Sequence, residues 1–424
     1  MPYSNLLFDP ADLPSAVKYE KLFENLPLLP ENIPKTGRRP MSRNCLLKAL
    51  IYKSLRRFPY LGDLTFELNN NPSISNSLGF NPSAQAPSIE RFSSFLHDTD
   101  HDELDLIHKQ LVQKLIKANV ISGSFIAIDS CPIVVPVKEN NLKTAASYRF
   151  DKTRKPSGDP DAGLGVLVHF PTPFKKEVRY FWGYRNHVVN DTATELPILQ
   201  ITKPANVHDT RVAKDLLLEA STSFNLNIEV VAGDAGYDTE DLLKFIIHDL
   251  KASAIIPHNP RKVQAKGYQI KGSKVFCEAG LEMHRKGKMR PKRSGILYCQ
   301  YTCPIIYDKH TQFKHITCPV LHPKFFNGKG CNVLTRLEPN IRSEIGYDTH
   351  KFKELYKKRT SVERVFSRLL TIAMQNPTVR GYRANCNHAT IAHISVLLVA
   401  LTAFVSGQQD KIRFVKSFVP NFLS

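Results

Sequence analysis

Residues 125–137, FIAIDSCPIVVPV, are apolar almost throughout, the pattern of a buried strand, and Asp129 interrupts them. A carboxylate inside such a run is costly unless a hydrogen-bonding partner or a cation meets it. No turn is needed there, so turn chemistry does not account for it. A second apolar run, 228–232, stops at Gly233-Asp234 within VVAGDAGYDT. Asp234 taken alone reads equally well as an Asp-Gly-type turn residue. Two strands that each deliver a carboxylate at or near an end give a place where a hard divalent cation can be shared. Such ions favour one or two carboxylates completed by water and phosphate oxygens.

The segments around these strands define the fold class. LGVLVHF, VRYFWGYRNHVVN and LPILQITKPA read as further strands, and TRVAKDLLLEAS and TEDLLKFIIHDL as helices. Three strands with little helix between them, followed by alternating helices and strands, predict a mixed sheet with helices on its faces, an α/β core. That core spans 121–256 and resumes over 351–405. Before it, residues 1–41 are Pro-rich and weakly periodic, an irregular arm. Residues 42–120 carry helical periodicity and predict an all-helical module of four or five short helices. A basic first helix there suits DNA or a solvated face equally. Residues 257–350 form a Lys- and Cys-rich insertion. From Pro257 to Gly295 it holds eleven Lys and Arg (Arg261, Lys262, Lys266, Lys271, Lys274, Arg285, Lys286, Lys288, Arg290, Lys292, Arg293) against Glu278 and Glu282. A basic tail, 406–424, follows.

The 424 residues carry a formal charge of +19, which points to a polyanionic partner, most simply nucleic acid. The run IAHISVLLVALTAFV (391–405) is too short to span a membrane and carries a His near its start, so it reads as a buried core helix. No secretory signal is visible at the start of the sequence, and eight cysteines in a chain this long suggest a reducing compartment, the cytoplasm.

A third carboxylate is placed by helix geometry. At about 100° per residue, Val362, Phe366, Leu369 and Ala373 share one apolar stripe, and Tyr356, Arg359, Glu363 and Leu370 lie immediately beside it. Glu363 is thus at the border of the buried face. Arg359, four residues before it, can pair with it or with a phosphate. The plain alternative is an ordinary surface ion pair.

Taken in order, AIDSCPI, GYRNHVVND, ITKPANVHDT, VVAGDAGYDT and YKKRTSVERVFSRLL resemble the blocks of the DDE-class transposases of bacterial insertion sequences, across roughly residues 40–405. The helical segment KALIYKSLRRFPYLGDLTFEL is similar to the DNA-binding head of one branch. The resemblance implies a ribonuclease-H-like core and two Mg²⁺ or Mn²⁺ ions held by Asp129, Asp234 and Glu363. It implies that Tyr356 and Arg359 contact DNA near the transferred end. It also implies cleavage at element ends, 3′-OH strand transfer into target DNA, and a homodimer on double-stranded DNA in the nucleoid, with no membrane. The family signature often closes with a Lys seven residues after the Glu, where this chain has Leu370; Arg368 is near but on another helical face. A nuclease without strand transfer, and a catalytically silent transposase-derived DNA-binding protein, are the alternative readings.

Five cysteines fall in the insertion: Cys277, Cys299, Cys303, Cys318 and Cys331. Cys299 and Cys303 have zinc-pair spacing, so a small zinc-stabilised subdomain is one reading and buried thiols the other. His187 and His208 are expected to make structural hydrogen bonds. Trp182 and Tyr184 suit a sheet core better than base stacking. Gly233 and Gly236 are expected to allow a tight turn, and Asp238 to cap a helix.

Overall fold

A computed structural model of the chain describes residues 15–31, 36, 40–144, 149–151, 153–172, 175–259, 267–271, 274–292, 295–307 and 316–418. Much of the predicted arm, and Arg261, Lys262, Lys266 and Arg293 of the basic insertion, lie outside them. The chain divides into two compact units, Met1–Pro257 with Tyr347–Ser424, and His258–Gly346.

The first unit is built on a six-stranded sheet comprising β1 (Phe125–Val134), β2 (Gly163–Thr172), β3 (Lys175–Asp191), β4 (Leu196–Pro204), β5 (Val230–Ala232) and β6 (Ser253–Ile255). β1 is central. On one side it pairs antiparallel with β3; on the other it pairs parallel with β5, and β5 with β6. The 17-residue β3 is long enough to pair with β1 through Gly183–Asp191, with β2 through Lys175–Gly183, and with β4 along its far edge. This mixed order, with β3 running against β1, β4, β5 and β6, is the ribonuclease-H-like arrangement the resemblance implied. β5 pairs with β1 only as far as Ala127–Ala232, so Asp129 lies just beyond the last paired residues.

Helices cover the sheet. Before it come α1 (Ser15–Phe23), α2 (Arg43–Leu55), α3 (Leu61–Asn70), α4 (Pro72–Ser77), α5 (Ile89–Asp98) and α6 (His101–Lys117); after β4 come α7 (Asp209–Phe224) and α8 (Glu240–Lys244). α1 corrects the expectation of an irregular arm: Tyr19, Leu22 and Phe23 are buried, so a short helix among prolines is stabilised by tertiary packing rather than by its own periodicity. After Tyr347 the chain forms α11 (His350–Lys357), α12 (Thr360–Thr371) and α13 (Tyr382–Val405), leaving α9 and α10 for the second unit. The stretch from Tyr356 to Ala373, read above as one helix, therefore spans two, parted by a turn at Lys358–Arg359.

α13 organises the unit. It is long and apolar enough to cross a membrane (mean hydropathy 1.9), but 83% of that window is buried inside the protein. A helix apolar on every side needs neighbours on every side, and α13 packs against α1, α2, α5, α6, α12 and β4. Each Leu, Val or Ile fully buried there contributes about 1.5–3 kcal/mol. The N-terminal helices and the sheet thus share one core. The tail returns to it too, since Val415 and Phe418 are buried and Tyr19 Oη donates to the Phe418 carbonyl over 3.5 Å.

One buried polar chain crosses from sheet to α13. Asn186 Nδ2 donates to Gln200 Oε1 (2.7 Å) and Thr202 Oγ1 (3.1 Å). Asn186 Oδ1 meets His393 Nε2 at 2.8 Å, and Gln200 Nε2 donates to Thr390 Oγ1 at 2.8 Å.

The second unit holds a hairpin, β7 (Tyr268–Lys271) with β8 (Lys274–Cys277), and a three-stranded sheet of β9 (His284–Met289), β10 (Tyr298–Thr302) and β11 (Asn332–Arg336). The short helices α9 (Pro304–Tyr307) and α10 (Pro323–Phe326) lie between β10 and β11. Val275, Cys277, Met283 and Val333 form a small core.

Because Asn186 serves three buried partners, Asn186→Ala removes the bond it makes to Gln200 Oε1, Thr202 Oγ1 and His393 Nε2. The expected loss is on the order of 3 kcal/mol of unfolding free energy, read by denaturant titration; a loss within experimental error contradicts the network's role.

Candidate active site

The parallel register pairs 125 with 230 and 127 with 232; continued two residues, it sets Asp129 beside Asp234. Asp129 Oδ1 accepts the Ser130 amide at 2.8 Å. Its Oδ2 lies 3.5 Å from Arg359 Nη1, and the same guanidinium bonds Glu363. One arginine therefore bridges two of the three predicted carboxylates. Asp129 and Arg359 keep 21% and 17% of their side-chain exposure, whereas Glu363 keeps 53%.

Burial pushes the Asp129 carboxyl up to about 7; repulsion from Asp234 and Asp209 acts in the same direction, against the Ser130 amide and Arg359. Tyr237 is buried beside the same group. Its hydroxyl is raised by burial first, and then by the charges of Asp129, Asp209 and Asp234. The strand end is thus a crowded anionic site, short of positive charge.

Local chain geometry fixes Asp234. Its Oδ1 accepts the Gly236 amide at 2.7 Å, capping a short 3₁₀ turn at Ala235–Tyr237. The chain does turn at Ala235–Tyr237, but neither Gly233 nor Gly236 adopts a positive φ, so the turn does not depend on glycine's conformational freedom. A Cβ on Gly236 would stand 2.8 Å from Asp234 Oδ1, so this glycine leaves room for the carboxylate. Asp238 is buried, and Thr239, not Asp238, occupies the N-cap of α8.

Tyr356 stacks on Phe352, and the Arg359 guanidinium lies over the Tyr356 ring at 5.8 Å. α12 buries Ser361, Val362, Val365, Phe366 and Leu369, which leaves Glu363 on its open side. Arg368, near the position where a lysine was expected, is committed elsewhere. With Arg364 and Arg413 it surrounds Glu195.

Sequence reasoning missed a fourth carboxylate. Asp209, the first residue of α7, accepts Ser130 Oγ at 3.1 Å; Arg185 Nη1 lies 3.9 Å from its Oδ2 and donates to Ser130 Oγ at 3.2 Å. The block ITKPANVHDT carries Asp209, directly after His208. His208 does make a structural bond, its Nδ1 accepting the Thr210 amide as N-cap of α7. His187 does not. It is 2% exposed, neither ring nitrogen makes a hydrogen bond, and Nδ1 stands 3.6 Å from Asp209 Oδ1. Trp182 and Tyr184 are buried as expected, with Trp182 Nε1 donating to the Arg149 carbonyl and Tyr184 Oη to Asp159.

Among the described residues no three His, Cys, Asp or Glu side chains stand together at metal-holding spacing. The donor chemistry at the strand ends still fits a hard divalent ion: Asp129 and Asp234 are oxygen donors on adjacent strand ends, and Asp129 carries excess negative surroundings. The insertion gives zinc no such support. Cys299 accepts from Arg285 Nε at 3.1 Å, away from the others, whereas Cys277, Cys303, Cys318 and Cys331 line a cavity of about 260 Å³ as free thiols. Spacing in sequence paired Cys299 with Cys303, but Cys299 turns towards Arg285 and Cys303 towards the cavity.

A carboxyl held above its ordinary value costs the fold stability at every pH above about 4, with the cost growing until about pH 7. In EDTA, Asp129→Asn should therefore match wild type near pH 4 and exceed it at pH 7 and above, by on the order of 3 kcal/mol. Denaturant unfolding across that range checks this; a constant difference contradicts it.

Residues 126–398 match the family described as transposase DDE domain. No curated protein matches the chain. Among solved structures it is similar to the piggyBac transposase in a synaptic complex with hairpin DNA. That match has a TM-score of 0.38 and 11% identity, over 96% of this chain and 80% of that one.

Proposed function

The chain belongs to the transposase DDE domain family, and from that membership we propose that it cleaves phosphodiester bonds at the ends of a DNA element and joins the freed 3′-OH to target DNA. The observation that carries this reading is the meeting of Asp129 and Asp234 on neighbouring parallel strands, with Glu363 tied to Asp129 through Arg359. Asp129, Asp234 and Glu363 would hold Mg²⁺ or Mn²⁺. Bound there, such ions would stabilise the attacking and leaving oxygens of an in-line displacement.

The chain's own residues bind and orient. Arg359, reaching both Asp129 and Glu363, is placed to take a phosphate oxygen when DNA enters, with Tyr356 stacked beneath it. Tyr237 walls the site on its buried side. The net charge of +19 supplies the attraction to the DNA backbone. A bacterial insertion sequence is the proposed origin. Since two element ends must be joined, the proposed working form is a homodimer on DNA.

The test uses purified protein and a duplex carrying the sequence that flanks its gene. Nicked and joined products should form with Mg²⁺ and vanish with EDTA. They should fall at least about 10³-fold in Asp234→Asn, the scale expected when a group essential to transition-state stabilisation is lost. Nicking without joining identifies a nuclease instead. Salt-sensitive binding without products under either metal rejects the enzyme and leaves a DNA-binding protein.

A further inference from the structure

Asp129 and Ser130 are successive residues of β1 and so face opposite sides of the sheet. Arg359 approaches the first. Arg185 approaches the second, from β3, where register sets His187 opposite Ser130 and Arg185 opposite Pro132. Two guanidiniums therefore flank β1 just past the point where β5 stops pairing with it. Only Arg359 has a role in the reading above.

Arg185 is held in place from several directions. Nη1 donates to Ser130 Oγ (3.2 Å), Nη2 to the Val166 carbonyl (2.7 Å), and Asp209 Oδ2 lies 3.9 Å from Nη1. Its side chain nevertheless keeps 17% of its exposure, and it opens into a cleft of about 530 Å³ at the base of β2 and β3. Lys155 also borders this cleft, and Leu164, Val166 and Trp182 give it an apolar wall. Cations beside an apolar wall suit a phosphate and its deoxyribose. Beside the cleft, buried His187 points an unbonded nitrogen at Asp209.

We propose that Arg185 is a second phosphate-holding residue of the site, gripping a backbone phosphate of the bound DNA strand on the face of β1 opposite Arg359. Asp209 is a positioning residue that aims it through Ser130. The inference rests on the transposase reading but concerns binding, so it is tested without turnover.

Anisotropy of a labelled duplex bearing the gene-flanking sequence is measured in EDTA across a salt series. Arg185→Gln should lower affinity about tenfold and reduce the slope of log K against log salt by about 0.9, one phosphate contact. Arg185→Lys should keep the slope. A scan placing one neutral methylphosphonate at each position should find a site where wild type loses about tenfold and Arg185→Gln loses nothing more, the sign of a direct pair. At that site the penalty should also shrink in Asp209→Asn, although its net charge is one more positive; a general electrostatic role would not move it. Additive losses for Arg185→Gln and every methylphosphonate overturn the proposal and leave the transposase reading intact. Salt-insensitive wild-type binding overturns both. If Arg185→Gln melts abnormally, the scan with Asp209→Asn decides: an unchanged tenfold penalty at every sensitive phosphate rejects the contact.

Discussion

Crowding of like charge at one end of a parallel strand pair governs this molecule. The β1–β5 register brings Asp129 and Asp234 together, and α7 adds Asp209. Burial raises the Asp129 carboxyl to about 7, and these neighbours add to that by disfavouring its ionisation. A chain free to relax would separate them. This one cannot, because each carboxylate is tied locally: Asp129 to the Ser130 amide, Asp234 to the Gly236 amide, Asp209 to the Ser130 hydroxyl.

The rest of the first unit supplies the rigidity that this requires. α13 is apolar all round and sits among the N-terminal helices, α12 and β4, so a shift of the sheet disturbs the whole core. The Asn186–Gln200–His393–Thr390 chain fixes where β3 and β4 meet that helix. α12 is held at its start by Asn190 Nδ2 donating to Ser361 Oγ at 3.0 Å, and near its end by Arg364 and Arg368 on Glu195. Glu363, between these anchors, is thereby set over β1.

Much of this was legible in the sequence because strand and helix periods differ. A long apolar run with one Asp in it has few structural explanations, and the stripe through Val362, Phe366 and Leu369 put Glu363 at the border of its helix. What stayed hidden depends on tertiary neighbours. α1 has little periodicity of its own; its buried Tyr19 and Leu22 become meaningful only once α13 and the tail are beside them. Asp209 stands at the start of a helix, and nothing in local sequence says that Ser130 and Arg185 meet it. The cysteines mislead for the same reason: spacing groups Cys299 with Cys303, whereas Cys299 lies within β10 beside Arg285 and Cys303, past the strand's end, faces the cavity.

The arginines show how such a site can be both stable and receptive. A guanidinium beside carboxylates stabilises a fold by neutralising them, and its planar fork matches a phosphate equally well. Arg359 and Arg185 each hold an internal anion or hydroxyl while keeping part of their surface open. An incoming backbone phosphate can therefore replace an internal partner without stranding a buried charge, so little reorganisation opposes binding. Arg368 is the contrast within the same helix as Glu363. Buried against Glu195 and the Glu195 carbonyl, it would lose both bonds to reach DNA, and it serves the scaffold alone. The three arginines are about equally open, so the partner separates frame from site: Glu195 keeps only 8% of its exposure, whereas Asp129, Asp209 and Glu363 keep 21%, 33% and 53%.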